Sequence, residues 1–452
     1  MPEPKPVNIA LLGAGARGEL NLATLVRKHP ALMKFTAVAE PHDGRRDRFV
    51  RLFGIPKENA FRDWRELVAR PRLAEAMINA LPCRMHYEST MEALAAGYHI
   101  LLEKPMALEP CQCMKLADEA SNRGLLLLVA LQSRYNDIYT RVRALADSGT
   151  IGRLMSIDCA ENIGYWHFAL SYVRGIHCHT SLSHSFMMAK AIHDIDLVSW
   201  FAGAPAKRIS SFGSLVYFNE ENAPVGAPER CTDGCPVEET CEFSAIRNYV
   251  DPGRPDIPAS LLTGMSFGAL RDVITNPRFR TLASVVSPED LSREARTKAL
   301  SDTVYGKCVF RSDNNVVDHQ TVSIEFENGV TASFLLNAFS LVWERTLNLH
   351  GTAGEIRSAD FSGRLQTRTY NPARVRNERI RYHGIIHGGG DEVILLRFAE
   401  VVRNPGADVL TSASRALESH LVCFAAEEAR LESRVVDMDE FRRRVKEKVS
   451  DL

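Results

Sequence analysis

Short apolar runs alternate with stretches of helical spacing through the first third of the chain. Residues 7–12 are apolar, and Leu20, Leu22, Leu25 and Val26 follow on a helical period. The alternation recurs as KFTAVAE (34–40), AEAMINALP (74–82), HYESTMEALAAG (86–97), YHILLEKP (98–105), CQCMKLADEASNRG (111–124) and LLLLVALQSRY (125–135). Strands alternating with helices build a parallel sheet covered on both faces. Residues 1–135 are therefore expected to form a doubly wound domain, with ligands at the carboxyl ends of its strands.

The period changes further on. SFMMAKAIHDIDLVSWFAGAP (185–205) has helical spacing, with Ser183 or Ser185 as cap and Gly203 with Pro205 as stop. From residue 316 apolar and polar positions alternate around Asn328-Gly329, a hairpin signal, and RTLNLHGTAGEIRSADFSGRLQTRTY adds further strands. TSASRALESHLVCFAAEEARLES reads as an amphipathic helix, and the sign-alternating EFRRRVKEKVSDL as a solvated last helix. Residues 136–452 are thus expected to form a second α/β domain around a mostly antiparallel open sheet. Residues 219–302 interrupt it with a Pro-rich insertion lacking clear periodicity.

Composition narrows the function. The formal net charge is −1, so neither nucleic acid nor an anionic membrane is an expected partner. No apolar run is long enough to span a bilayer, and the start shows no charged leader followed by an apolar core. The ten cysteines are then expected in the cytoplasm, as thiols or metal ligands.

Gly13, Gly15 and Gly18 stand in G-x-G-x-x-G spacing between the first strand and its helix. Gly13 permits the turn, Gly15 lets the backbone approach a pyrophosphate, and Gly18 lets helix and strand pack closely. Ala16 and Arg17 lie inside the turn and are counted with it. Glu40 ends the next strand, where an acid accepts ribose hydroxyls and repels a 2′-phosphate, which favours NAD over NADP. Arg45 and Arg46 follow closely and keep NADP open. The other reading is an ordinary strand–helix turn with structural glycines.

The strand YHILL runs into Glu103-Lys104-Pro105 at the edge where a nicotinamide would lie. These glycines, the Glu-Lys-Pro and the helix AKAIHDIDLVSWFAG together resemble the glucose–fructose oxidoreductase / inositol dehydrogenase / rhizopine-catabolism (Gfo/Idh/MocA) family. The resemblance covers nearly the whole chain. It implies nicotinamide chemistry on sugars, cyclitols or related polyols, and a C-terminal sheet that forms a homo-oligomer interface. It also puts the lysine of Glu-Lys-Pro, here Lys104, beside substrate and nicotinamide. Family members carry an Asp four residues before the helix His; here that position is Ala189.

On the residues themselves, Lys104 can donate to a hydroxyl or carbonyl oxygen, and partial desolvation would lower its pKa. Glu103 could orient it or bind ribose. His193 is read as general base because imidazole titrates near neutrality, a satisfied half-buried histidine being the alternative. Lys190 shares its helix face and takes over part of the polar role of the missing Asp. The crowded YWHFALSYVRGIHCHTSLSH suits a metal or a sugar. The sugar reading, with Tyr172 and Arg174, is preferred because no histidine pair has helical metal-site spacing. Asp194 and His387 complete the expected substrate set, the latter before three glycines and a helix with Asp391 as its cap. Cys231, Cys235, Cys241 and Cys308 could bind a structural zinc ion, the alternatives being unligated thiols or an iron–sulfur cluster.

A dehydrogenase of a sugar, sugar acid or cyclitol is the leading expectation. A glycosidase that uses bound NAD in a transient oxidation and elimination is the second. A non-enzymatic NAD-binding regulator on the same fold is the third.

Overall fold

The computed structural model describes residues 5–250, 285–287, 290, 292–382, 386–404, 406–407 and 409–452; at 386 and 387 it describes the backbone alone. Much of the 219–302 insertion and the His387 side chain thus lie outside the described residues.

Six parallel strands form the first sheet: β1 (Val7–Leu12), β2 (Met33–Ala39), β3 (Ala60–Phe61), β4 (Ala76–Asn79), β5 (His99–Leu102) and β6 (Leu127–Val129). Their order is β3-β2-β1-β4-β5-β6, so the winding reverses at β1. Leu12 pairs with Ala39 and with Asn79, and Asn79 pairs with Leu102. This register brings the residues that follow, Gly13, Glu40 and Glu103, to one carboxyl edge. A crevice at such a reversal is where doubly wound sheets bind ligands.

The second sheet has nine strands: β7 (Leu154–Gly164), β8 (Ala206–Ser214), β9 (His319–Phe326), β10 (Thr331–Ser340), β11 (Glu344–Gly351), β12 (Gly354–Ala359), β13 (Arg364–Thr369), β14 (Arg374–Arg379) and β15 (Val436–Asp437). All neighbours run antiparallel except β7 and β10. The β9–β10 hairpin turns at Asn328-Gly329, where Gly329 takes a φ of +84° that a side chain would disfavour. The architecture is α/β, a parallel Rossmann sheet joined to a mostly antiparallel one, as the alternation predicted.

One apolar cluster runs from Ala10, Leu12 and Leu102 of the first sheet to Ile157, Cys159 and Phe334 of the second. A second cluster joins Ile9, Leu11, Phe35 and Phe49 to Ile394, Leu395 and Phe398 of the helix Gly390–Arg403. The helix Ala413–Glu432 is buried continuously from Ser419 to Ala426 rather than along one stripe. It lies between helix Pro110–Asn122 and β8, which removes its solvent face and explains the departure from the amphipathic expectation. Among the described residues no helix is long and apolar enough to cross a membrane.

Candidate active site

The glycine turn is held by contacts that forbid side chains at two of its three glycines. Gly13 has φ +88°, and a Cβ there would lie 2.7 Å from the Ala80 carbonyl oxygen; one on Gly18 would lie 2.0 Å from that of Gly13. Gly15 differs: a Cβ there meets nothing within 4 Å. The backbone at Gly15 therefore faces open space, as close approach of a pyrophosphate requires. The segment Ala16–Ala23 that follows is wound as a π-helix.

Glu40 is buried beside this turn. Its Oε2 accepts from the Ala14 N–H at 2.8 Å and its Oε1 from the His42 N–H at 3.1 Å. Each carboxylate oxygen keeps an acceptor position for a ribose hydroxyl. Arg45 Nη1 stands 4.0 Å from Glu40, whereas Arg46 donates to the Glu40 carbonyl at 2.8 Å. Arg17 Nε donates to Glu103 at 2.6 Å and Nη2 to Asp391 at 2.5 Å, while its buried Nη1 has no hydrogen-bond partner. The open face at Gly15, the Glu40 acceptors and the spare Arg17 donor fit a dinucleotide.

Asp391 is not the helix cap that its position suggested. The helix starts at Gly390 after a left-handed Gly389, and Asp391 binds Arg17 instead. The glycine run answers to packing: a Cβ on Gly388 would lie 2.5 Å from Asn136 Nδ2, and one on Gly390 2.4 Å from the Gln132 carbonyl oxygen.

Lys104 follows β5 and reaches across to the segment around Ala189, beyond the first sheet. Its Nζ donates to the Ala189 carbonyl oxygen at 2.7 Å. Burial holds its ammonium below the ordinary lysine range, and Cys83 and Glu103 offset only part of that. Ala189 belongs to a π-helical turn, Met187–Ala191, that leads into the helix Ile192–Ala202. Ser185 Oγ accepts from the Met188 N–H and left-handed Gly203 ends the helix, as its spacing predicted.

Lys190 sits in the same turn. Its Nζ is 3.1 Å from Glu161 Oε1 and 3.8 Å above the centre of the Trp343 ring. Burial also lowers its pKa, Glu161 compensating in part. Trp343 Nε1 donates to Glu161 at 2.7 Å, and His167 stacks on Trp343 with ring centres 4.9 Å apart. Arg345 completes the group, 3.0 Å from Glu161 Oε2 and paired through its Nε with Asp194. Burial raises both acids, but Arg345 and Lys190 together take Glu161 below the usual carboxylate range. Asp194, buried and countered chiefly by Arg345, is pushed up to about 7.

Burial lowers His177 to about 4 and His167 to about 3, with Lys190 adding to both. Both rings are neutral near pH 7, and His177 Nδ1 is buried without a hydrogen-bond partner. His193 is buried one turn beyond Lys190. Lys104, Lys190, His167, His177 and Trp343 thus gather in one cluster beyond the carboxyl edge of β5, with Glu161 as its anion.

Several expected substrate contacts lie elsewhere. Asp194 is fully buried against Arg345 and braces the cluster from within rather than facing a ligand. Tyr172 is buried among the rings of Phe168, Phe186 and His177. Arg174 points away, to the carbonyls of Lys307 (2.6 Å) and Phe243 (2.7 Å) and the Tyr249 hydroxyl (3.1 Å), because it holds the cysteine-bearing loop. The four cysteines line one small cavity, yet among the described residues no three His, Cys, Asp or Glu side chains already stand as a metal-ligand set. Glu161, Trp343 and Arg345 did not emerge from motif spacing.

Known proteins agree with this picture. Residues 7–131 match GFO_IDH_MocA, described as an oxidoreductase family with an NAD-binding Rossmann fold. An inositol 2-dehydrogenase/D-chiro-inositol 3-dehydrogenase of Lactiplantibacillus plantarum is 26% identical over 51% of this chain and 62% of its own. A levoglucosan dehydrogenase of Pseudarthrobacter phenanthrenivorans is 27% identical over 33% of this chain and 39% of its own. The chain spans between 28% and 68% of the length of such curated relatives. Among solved structures, a levoglucosan dehydrogenase in complex with NADH and levoglucosan superposes with a TM-score of 0.67 at 17% identity, over 96% of this chain and all of the other. An Agrobacterium radiobacter oxidoreductase in complex with NAD+, L-tartaric acid and magnesium gives 0.65 at 15%, over 96% and 99%. At such identities these structures speak to the fold alone. Sequence match and the glycine turn together place residues 7–131 in the NAD-binding Rossmann domain of the Gfo/Idh/MocA oxidoreductase family, and the fold likeness extends over nearly the whole chain.

Proposed function

We propose that the chain is an NAD-dependent dehydrogenase of a sugar, sugar acid or cyclitol. The observation that carries this is Lys104: a half-buried ammonium at the carboxyl edge of the Rossmann sheet, tied at 2.7 Å to the turn that bears Lys190. Two lysines and neutral imidazoles in one cluster suit a polyhydroxylated ring, whose oxygens take donors and whose hydroxyl gives up a proton. The dehydrogenase reading stands ahead of the NAD-using glycosidase and the regulator, because relatives include dehydrogenases of inositols and levoglucosan.

The residues divide the work. Glu40 accepts ribose hydroxyls, and Arg17 and the Gly13–Gly18 turn hold the pyrophosphate. When bound, the nicotinamide exchanges hydride with the ring carbon. Lys104, its pKa lowered by burial, takes the proton of the reacting hydroxyl as a neutral amine and passes it to His193. His193 serves as general base, and Lys190, oriented by Glu161 and Trp343, positions a neighbouring oxygen. Glu40 favours NAD over NADP because a 2′-phosphate would meet its carboxylate.

Assembly and location follow from the same frame. Phe212 and Leu335 lie in one cross-strand row on the outer face of the second sheet, 72% and 40% exposed, and a second copy of the chain would cover them. All ten cysteines are unpaired, which suits the reducing cytoplasm. The test is NAD(H) turnover on a panel of sugars, uronic acids, inositols and glycosides, with bound cofactor released by denaturation. Turnover of glycosides alone, without net NADH, would overturn the dehydrogenase reading.

A further inference from the structure

We propose that Cys231, Cys235, Cys241 and Cys308 bind one zinc ion, and that Arg174 is the counter-charge of this tetrathiolate centre. The proposal starts from how the chain brings the four together. Cys231 and Cys308 lie far apart in sequence, yet an antiparallel bridge pairs Arg230 with Lys307. Through it the Cys231 N–H donates to the Gly306 carbonyl at 2.9 Å, and the Cys308 N–H to that of Glu229 at 2.8 Å. Tight turns then carry Cys235 and Cys241 back to the same place, with the Glu238 N–H on the Cys235 carbonyl at 3.2 Å and the Cys241 N–H on that of Val237 at 2.8 Å. All four line one cavity of about 10 Å³. That is room for a single ion or water, and too little for an iron–sulfur cluster.

Arg174 supplies the independent observation. It is 2% exposed, and its partners are two backbone carbonyls, a phenol hydroxyl and a sulfur. Among the described residues no carboxylate pairs with it. A buried guanidinium without an anion is costly, and proteins seldom leave one so. The Cys231 sulfur accepts from Arg174 Nη2 at 3.7 Å and from the Ala245 N–H at 3.5 Å. Two donors aimed at one sulfur match the hydrogen bonds that metal-bound sulfur usually receives. Four thiolates around Zn²⁺ carry a net charge of −2, which gives Arg174 the anion it lacks. The thiols do not yet stand at ligand spacing, so the ion draws them in from the cavity wall as their protons pass to solvent.

Four sulfur ligands leave zinc no open position, so its role is structural. It fastens a loop to the Ala169–Arg174 segment, which precedes His177 in the chain.

Metal analysis of the full chain, purified without added metal, should give about one zinc per chain. Chelator-treated protein titrated with Co²⁺ should develop the intense thiolate-to-cobalt absorption and visible bands of a tetrahedral site. Cys235→Ser should lose zinc, while Cys178→Ser should keep it. Arg174→Met should weaken zinc retention against a competing chelator, and Arg174→Lys should restore part of it. Zinc-free wild-type protein whose four thiols all react with a thiol reagent while folded would overturn the proposal, as would iron with labile sulfide. These readouts do not depend on the substrate, so they stand or fall separately from the dehydrogenase reading.

Discussion

Lys104 and Lys190 meet in one cluster but in different company. Lys104 has a backbone carbonyl as its hydrogen-bond partner, while Lys190 has Glu161 and the face of Trp343. In the proposed mechanism Lys104 is the group that changes its proton during turnover, while Glu161 favours the charged form of Lys190 against the effect of burial. Lys104→Met and His193→Asn should each lower kcat by about two orders of magnitude, with NAD affinity little changed in a direct titration. In the oxidative direction kcat/KM should rise with pH through an apparent pKa below the ordinary lysine value, since only unprotonated Lys104 can take a proton. That rising limb should vanish in Lys104→Met. Glu161→Gln should leave Lys190 and Arg345 without their shared anion and cost about 3–5 kcal/mol of stability by denaturant unfolding. The sign with pH follows from its lowered pKa. Ionised Glu161 stabilises fully above the ordinary glutamate range, and this is lost as pH falls through the folded value. The acid arm of the stability profile should flatten in the variant. Glu40 and Lys104 were legible in the sequence because each ends a strand. Glu161 was legible too, by another signal: it shares the core-facing parity of Ile157, Cys159 and Ile163 in β7, and Arg345 that of Leu347 and Leu349 in β11. An acid and a base at buried positions on separate strands imply a partner, but nothing in either segment names it. Arg174 read as a sugar ligand because spacing reports proximity along the chain and not which wall a side chain faces.

The glycine turn separates two roles within one element. Gly15→Ala should fold as stably as the parent, because its Cβ meets nothing, yet should bind NAD more weakly, because that open face is where pyrophosphate would come. Gly18→Ala should lose both thermal stability and NAD binding, because its Cβ would collide with the Gly13 carbonyl. Thermal melts with and without NAD distinguish the two, and equal behaviour would remove the assignment of Gly15. Strand and helix alternation gave these elements directly. The π-helical turns at Ala16–Ala23 and Met187–Ala191 did not show, since one extra residue per turn leaves little mark on an apolar period. The continuous burial of Ala413–Glu432 was hidden for a different reason: its small and polar residues Ser419, Ala425 and Ala426 read as solvent-facing until two layers close on them.

At the scale of the whole molecule, the outer sheet face carries the next expectation. Phe212→Asp with Leu335→Asp should shift the protein to a smaller species in sedimentation or light scattering, without altering its circular dichroism. An unchanged mass would place the subunit contact elsewhere. The helix Gly390–Arg403 has another consequence, for the order in which the protein is made. Ile394, Leu395 and Phe398 cover the apolar face of the first sheet that includes Ile9, Leu11 and Phe35. A ribosome will have released the six parallel strands long before it reaches residue 390. Leu22, Val26 and Phe49 cover part of that face from the start, so the nascent Rossmann sheet waits with the rest of it bare until nearly the whole chain has emerged. Residues 1–135 expressed alone should for that reason bind a hydrophobic dye and precipitate, and should regain solubility when a peptide spanning 386–404 is supplied in trans.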